Sequence, residues 1–168
     1  MTAAGRNGPV DRPFRIGVIG SGSAEGEVLA LARGVGRSLA RARALVVCGG
    51  MGGVMEAAAE GAAAEGGAVL GILPGDDPDA AAPGVTVPVP TGFGQGRNVL
   101  VVRASEAVVA LGGAWGTRSE ASLCVKLGVP LVGVADTLGD VFDIERFRDA
   151  DAAVARALEL AQNGRRGT

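Results

Sequence analysis

Short apolar runs rich in β-branched residues alternate along this chain with alanine-rich stretches, and most of the runs end at a cluster of glycines. The runs are apolar throughout instead of alternating with polar residues, which is typical of parallel strands covered on both faces. Strands and helices that alternate within one domain predict an α/β fold, a doubly wound, Rossmann-like parallel sheet with helices on both faces. The predicted strands span residues 15–19, 44–48, 68–73, 85–89, 107–111 and 130–134.

The stretches between the strands have helical periodicity. In the first of them Val28, Ala32, Val35 and Leu39 recur at steps of three and four residues, which gives one apolar stripe. Predicted helices span residues 24–43, 54–65 and 97–105, then from the turn at 112–117 to 127, and from Asp149 or Asp151 to 162. A length of 168 residues fits one domain. We place a nucleotide- or phosphate-binding domain at 15–162, after a flexible segment at 1–14 and before a frayed end at 163–168.

The composition excludes several kinds of chemistry. The chain contains neither His nor Tyr, so catalytic triads, imidazole acid–base groups and His-ligated metals are ruled out. A net charge of −2 and an aromatic content of 3% disfavour a nucleic-acid surface, which needs clustered cations and usually stacking rings. We therefore expect no metal site and no nucleic-acid partner.

The two cysteines and the hydropathy pattern indicate the compartment. Cys48 and Cys124 stand in apolar contexts, which favours buried free thiols in a reducing environment over a disulfide. No apolar run reaches the roughly 18 to 20 residues that a membrane helix needs. The first thirteen residues lack the hydrophobic core of an export signal. These features predict a cytoplasmic protein that does not bind a membrane.

Glycine-rich turns follow Ile19, Cys48 and Leu111 and surround Phe93, mostly where predicted strands end. Ligands of such sheets bind beyond the carboxyl ends of the strands, and glycine lets backbone N–H groups approach an anion closely. Each turn by itself is better explained as a tight strand-to-helix connection, but the four together predict a phosphate-type site. The candidate binding residues are Gly20, Ser21, Gly22, Gly49, Gly50, Gly52, Gly53, Gly113, Ala114, Trp115, Gly116 and Thr117.

Two common nucleotide sites do not fit these turns. Gly20, Gly22 and Gly26 have one spacing too many for the dinucleotide fingerprint, and Cys48 stands near the position of its acidic ribose ligand. No glycine loop continues into Gly-Lys-Ser or Gly-Lys-Thr, so a Walker-type site is absent. We expect no NAD and no other resident cofactor.

The segment from Gly112 to Glu120 contains the most specific group of candidate functional residues. Glu120 follows Thr117 by three residues at the predicted start of a helix, so the two could form a capping box that only stabilises the helix. Arg97 begins the preceding helix, where a cation opposes the helix dipole. Such a placement indicates either a grip on an anionic ligand or a surface salt bridge.

The stretch from Arg97 to Glu120 resembles the signature of the Lonely Guy family of phosphoribohydrolases, often mislabelled as lysine decarboxylases. That family has an Arg, then a helix and a strand, then Pro-Gly-Gly-x-Gly-Thr-x-x-Glu. Arg97 stands at the matching distance, and the residues that match directly are Gly113, Gly116, Thr117 and Glu120. Upstream, Gly49-Gly50-Met51-Gly52-Gly53-Val54-Met55 is similar to the family's Gly-Gly-x-x-Gly-x-Met turn, and Gly20-Ser21-Gly22-Ser23 to its first loop.

This chain departs from that motif at two positions. Gly112 replaces the Pro and Ala114 replaces the second Gly. The variant form, with Thr91-Gly92 and Arg97-Asn98 upstream, resembles a short sister group that includes molybdenum-cofactor carrier proteins.

The resemblance implies a Rossmann-like homodimer or homotetramer that hydrolyses the N-glycosidic bond of a nucleoside 5′-monophosphate. Glu120 and Arg97 would be its catalytic residues, since a carboxylate can stabilise an oxocarbenium-like state and activate water while Arg orients the phosphate. The alternative is a carrier that binds molybdenum cofactor or another phosphorylated pterin without turnover. Either way the partner is a small phosphorylated ligand. Lysine decarboxylation is rejected because Lys126, the single lysine, lacks a pyridoxal-binding context.

Three further features concern either ligand contact or packing. Trp115 could stack on a base or pack at an oligomer interface. Met51 and Met55 favour core or interface packing over ligand contact. The run at 99–102 is apolar on all sides of its predicted helix, which favours burial against a partner subunit.

Overall fold

The computed structural model of this protein describes residues 12–167. Of the segment predicted to be flexible, 1–14, all but the last three residues lie outside the described part, as does Thr168. In chain order the elements are β1 (Arg15–Gly20), α1 (Glu27–Arg41), β2 (Leu45–Cys48), α2 (Val54–Ala64), β3 (Val69–Leu73), β4 (Val87–Pro90), α3 (Asn98–Ala104), β5 (Ala107–Leu111), α4 (Trp115–Leu127), β6 (Leu131–Val134), β7 (Glu145–Phe147) and α5 (Ala150–Arg166). Short 3-10 turns span Pro78–Ala80, Gly94–Arg97 and Gly139–Val141.

Within residues 12–167 these strands form one seven-stranded parallel sheet in the order β4-β3-β2-β1-β5-β6-β7. β1 is central, and Ile16 pairs with Val46 of β2 on one side and with Ala107 of β5 on the other. The chain therefore turns one way after β1 and the other way after β5, which defines the switch point of a doubly wound sheet. The predicted fold, a doubly wound Rossmann-like sheet in a single domain, is confirmed.

Helices cover both faces of the sheet. On one face α1, α2 and α5 bury a cluster that includes Ile16, Val18 and Leu39, and on the other α3 and α4 bury one that includes Ile19 and Val108. Alternate residues of β1 point to opposite faces, so one short strand contributes to both layers. None of the helices in the described range is long and apolar enough to cross a membrane.

Glycines bring α1 and α2 into close contact. A Cβ atom on Gly36 would lie 2.9 Å from the carbonyl carbon of Ala58, and one on Gly61 would lie 2.9 Å from Cα of Arg33. Both distances are shorter than real Cβ contacts, so only glycine allows the two helix backbones to approach this closely. The alanine- and glycine-rich composition of these helices thus has a direct packing consequence.

The structure corrects two predicted helix boundaries. α1 begins at Glu27 and not at Ala24, after Gly26 with φ 59°. α5 continues to Arg166, past the predicted end at residue 162, so the residues expected to fray at 163–166 are helical. Arg165 explains this extension, since it forms an ion pair with Glu106 at 2.6 Å and anchors the last turn.

Strand β7 was not predicted. Its sequence, Glu145-Arg146-Phe147, has no apolar run because it is a partly exposed edge strand. The run at 99–102 divides between two environments: Val101 and Val102 are buried in the chain's own core, whereas Leu100 is exposed and stays available for the predicted contact with a partner subunit.

Candidate functional site

A cavity of about 310 Å³ lies at the carboxyl edge of the sheet, beside the switch point between β1 and β5. This is where ligands bind in open α/β sheets. The residues that line it are Gly20, Ser21, Gly22, Met51, Met55, Pro74, Gln95, Arg97, Asn98, Ala114, Gly116, Thr117 and Glu120. Loops separated by up to a hundred residues in sequence therefore form one site.

The loops after β1 and β2 support each other. The N–H group of Val54 donates a hydrogen bond to the Ser21 carbonyl at 3.0 Å. Gly53 has φ 68°, and a Cβ atom there would lie 2.7 Å from Cα of Gly22. Position 53 thus requires glycine for two reasons: its backbone conformation is left-handed, and the loop after β1 lies too close for a side chain.

The N-terminal turn of α4 enters the cavity without a side-chain cap. Its N-cap residue is Ala114, whose side chain makes no capping hydrogen bond. The first N–H groups of a helix have no intrahelical acceptor, so this end is available to an anion. Thr117 is the third residue of the helix and not its N-cap, which excludes the capping box with Glu120.

Arg97 and Glu120 meet at the base of the cavity, with 3.7 Å between Nη1 and Oε1. Arg97 ends a 3-10 turn just before α3, Glu120 lies in the second turn of α4, and both side chains are buried. The alternative of a surface salt bridge at Arg97 is therefore excluded. Within residues 12–167, Nε and Nη1 of Arg97 and the buried hydroxyl of Thr117 have no hydrogen-bond partner.

Burial sets the protonation of this site. It raises the pKa of Glu120 to about 7, although the charge of Arg97 acts in the opposite direction. Burial also lowers the pKa of Arg97, which Glu120 partly opposes. A carboxyl group with a pKa near neutrality can exchange a proton with a ligand or with water.

Two buried thiols lie near this pair. Cys48 and Cys124 are free and buried, as the sequence predicts. Burial raises the pKa of Cys48 to about 11 and that of Cys124 to about 12, so both are protonated at neutral pH. A protonated, buried thiol is a poor nucleophile, and covalent catalysis by either cysteine is not indicated.

Some predicted binding residues lie outside the cavity wall. Gly49 and Gly50 pack behind it against Arg97 and Leu73, and Gly113 packs against the backbone of Leu138. Trp115 is 85% exposed, and the guanidinium of Arg118 lies 5.4 Å from its ring centre. Gly52 and Gly53 are likewise absent from the wall.

The cavity also contains residues that the sequence did not single out as ligand contacts. Pro74, Gln95 and the buried Asn98 line it, and so do Met51 and Met55, for which core or interface packing was favoured. Gln95 and Asn98 flank Arg97 in the glycine-rich segment, which is the signal that could have identified them. Residues 12–167 contain no group of three or more His, Cys, Asp or Glu that could hold a metal ion.

Comparisons with known proteins identify the family and the fold of this chain. A model of the SLOG cluster4 family matches residues 13–162. An uncharacterized protein of Archaeoglobus fulgidus is 40% identical over 115 residues, which is 68% of this chain and 76% of that protein. The solved structure of the molybdenum cofactor binding protein from Rippkaea orientalis is similar with a TM-score of 0.82 and 29% identity, over 91% of this chain and 98% of that one. The Moco carrier protein from Chlamydomonas reinhardtii gives a TM-score of 0.78 and 30% identity, over 90% and 99%.

Proposed function

From the premise that this chain belongs to the SLOG cluster4 family, we propose that its cavity binds a phosphorylated ring compound and that the protein carries molybdenum cofactor or another phosphorylated pterin. The resemblance to the Lonely Guy family that the motifs indicate is confirmed by the family match. The carrier role is supported by the solved structures it resembles, which are described as a molybdenum cofactor binding protein and a Moco carrier protein. The molybdenum cofactor is cargo in this proposal.

One observation carries the binding proposal. Two polar side chains with at most 5% exposure, Arg97 and Thr117, line a single cavity and have polar atoms that no group within residues 12–167 satisfies. A buried polar atom without a partner destabilises a fold by about 1–3 kcal/mol, so these groups favour a ligand that supplies acceptors. A phosphoryl group supplies them, and the uncapped N-terminus of α4 favours its negative charge.

The remaining wall suits the ring of such a ligand. Met51, Met55 and Pro74 contribute apolar surface, and Gln95 and Asn98 contribute amide groups. Methionine adapts its shape to flat rings, and an amide can donate and accept along a ring edge. A phosphorylated pterin or a nucleoside monophosphate has both the charge and the ring that this wall can contact.

Replacement of Thr117 by Val tests the proposal. The shape is kept while the hydroxyl is lost, so we expect binding of AMP or a phosphorylated pterin, measured by calorimetry, to weaken about tenfold, as for one hydrogen bond to a charged group. Stability should not fall, because an unsatisfied buried group is removed. Thr137→Val is the matched control, since the buried Thr137 hydroxyl donates to the Val134 carbonyl and its loss should lower stability and leave binding unchanged. If wild-type protein binds no phosphorylated ring compound, the proposal is wrong.

A second function, hydrolysis of a nucleoside 5′-monophosphate, is favoured by the Glu120 carboxyl group at the base of the cavity. In this reaction water adds to the anomeric carbon, the carbon–nitrogen bond breaks, and the proton removed from that water passes through Glu120 to the leaving base. Glu120 would stabilise the oxocarbenium-like state and accept the proton of water, and Arg97 would orient the phosphate. Release of free base from AMP that is lost in Glu120→Gln would support hydrolysis, and tight pterin binding without release would support the carrier.

A further inference from the structure

The guanidinium of Arg97 lies directly against the backbone of Gly49, the first residue after β2. A Cβ atom on Gly49 would lie 2.6 Å from Cζ of Arg97 and would also overlap Nη1 and Nη2. Real Cβ atoms essentially never come within 3.0 Å of a heavy atom outside their own and the adjacent residues, so any side chain at position 49 must displace the guanidinium or the backbone. The guanidinium group of Arg97 thus occupies the space that a side chain at position 49 would fill.

Backbone conformation does not explain the glycine at this position. Gly50 and Gly53 in the same loop have φ 68° and belong to the left-handed region that favours glycine. Gly49 lies outside that region. Position 49 therefore requires glycine for a steric reason, because a side chain there would overlap the Arg97 guanidinium.

Hydrogen bonds do not fix the guanidinium either. Nε and Nη1 of Arg97 have no hydrogen-bond partner within residues 12–167. The approach to Glu120 Oε1 is 3.7 Å, which exceeds the roughly 2.7–3.2 Å of a hydrogen bond. A cation that is only 5% exposed and held by so few polar contacts must be located largely by packing.

We propose that Gly49 is a positioning residue, whose missing side chain seats the Arg97 guanidinium over the end of β2 so that it faces Glu120 and the cavity. This assigns to Gly49 a role other than the direct phosphate contact expected from its glycine-rich turn. Any effect of Gly49 on ligand binding rests on the proposed function. The position of the Arg97 guanidinium is a property of the ligand-free protein, and both tests below are made without ligand.

A stability cycle is the first test. Gly49→Ala should lower the Tm by about 5 °C, as for an overpacked buried site in a domain of this size. In an Arg97→Ala background the same change should have little effect, because the guanidinium that the new methyl group would strike is gone. Gly75→Ala is the matched control, since a Cβ atom there meets nothing within 4 Å and φ is ordinary. If Gly49→Ala fails to fold, recovery of folding in the double variant supports the proposal, and an equal loss in both backgrounds overturns it.

Titration of the Glu120 carboxyl group, followed by NMR without ligand, is the second test. The charge of Arg97 lowers the pKa of Glu120 against the effect of burial. Displacement of the guanidinium in Gly49→Ala should therefore raise this pKa above about 7, in the same direction as Arg97→Ala. A purely structural role for Gly49 would lower the Tm without moving the Glu120 titration, and that result would contradict the proposal. Failure of every phosphorylated compound to bind would contradict the proposed function alone.

Discussion

Individual residues of the cavity combine burial with incomplete pairing. Arg97 and Glu120 neutralise each other only loosely at 3.7 Å, and the buried thiols of Cys48 and Cys124 give the carboxylate no compensating charge. Groups whose pKa values are shifted by burial and by one specific charge concentrate at functional sites. The ion pair is thus better suited to a ligand than to stability.

The Glu120 carboxyl group should make stability depend on pH in an unusual direction. Its pKa is about 7 in the folded protein against 4.5 ordinarily, so between these values the folded state holds a proton that the unfolded chain has lost. The contribution of this group to the free energy of unfolding is therefore at its maximum below pH 4.5. It is lost as the pH rises through 7, by up to about 3 kcal/mol. We expect urea unfolding to show Glu120→Gln gaining stability relative to wild type over this range.

Glu65→Gln is a control of opposite sign. The pKa of Glu65 is lowered by a hydrogen bond from Arg41. Its contribution is present at neutral pH and is lost on acidification, so this variant should lose stability relative to wild type as the pH rises. Parallel pH profiles for wild type and Glu120→Gln would show that the Glu120 carboxyl is not protonated near neutrality.

At the scale of elements, α4 and α5 show two ways to begin a helix. Asp149 caps α5, where its carboxylate accepts a hydrogen bond from the N–H of Ala152 at 2.8 Å. Ala114 leaves α4 without a side-chain cap, at the edge of the cavity. A missing cap destabilises a helix by about 1 kcal/mol, so α4 retains an open end where an anion could bind.

Ala114→Asp should separate stability from binding. Its backbone, with φ −64° and ψ 164°, suits an N-cap, so the carboxylate should stabilise α4 by about 1 kcal/mol. The same negative charge should weaken binding of AMP or a phosphorylated pterin at least tenfold by calorimetry, because it occupies the open helix end. Ala114→Asn should stabilise without this repulsion, and Asp149→Ala should lose stability and keep binding. Unchanged affinity in Ala114→Asp would place the phosphoryl group away from α4.

At the scale of the whole molecule, the parallel sheet gathers the strand-end loops at one edge, while the α3–α4 layer leaves apolar side chains in solvent. Trp115 is 85% exposed, Val125 67% and Leu100 37%. Exposed apolar side chains that form one contiguous patch are typical of protein contacts, whereas single ones are ordinary. The expected homodimer or homotetramer stays a prediction, and the exposed side chains of α3 and α4 are the surface at which we propose to test it.

Light scattering should give a mass two or four times that of one chain, and Val125→Glu should reduce it. Trp115 is the single tryptophan, so its emission should shift to the blue as the protein assembles. Val87→Glu, at another exposed valine on β4, should leave the mass unchanged. A single-chain mass with Trp115 emission quenched by ligand would instead favour the stacking role of the indole.

The sequence is most informative where local chemistry dictates structure. Uniformly apolar runs such as residues 107–111 specify strands buried on both faces, and the alternation of elements specifies the parallel sheet. Strand β7 was not predicted from its sequence, because an edge strand does not need apolar side chains on both faces. The sequence also did not predict that Met51, Met55 and Pro74 line the cavity, since methionine and proline pack in many environments.

By itself the sequence determined the fold and the edge of the sheet at which the glycine turns and the cavity lie, because strand burial and glycine turns are properties of short segments. Only the tertiary structure decided that Arg97 and Glu120 meet, that Thr117 is not a cap, and that Gly49 lies against the guanidinium. These contacts join loops from different strands, and a helix and a strand separate the two charged residues in the chain. Burial, which moves the pKa of Glu120 to about 7, exists only once those loops have packed together.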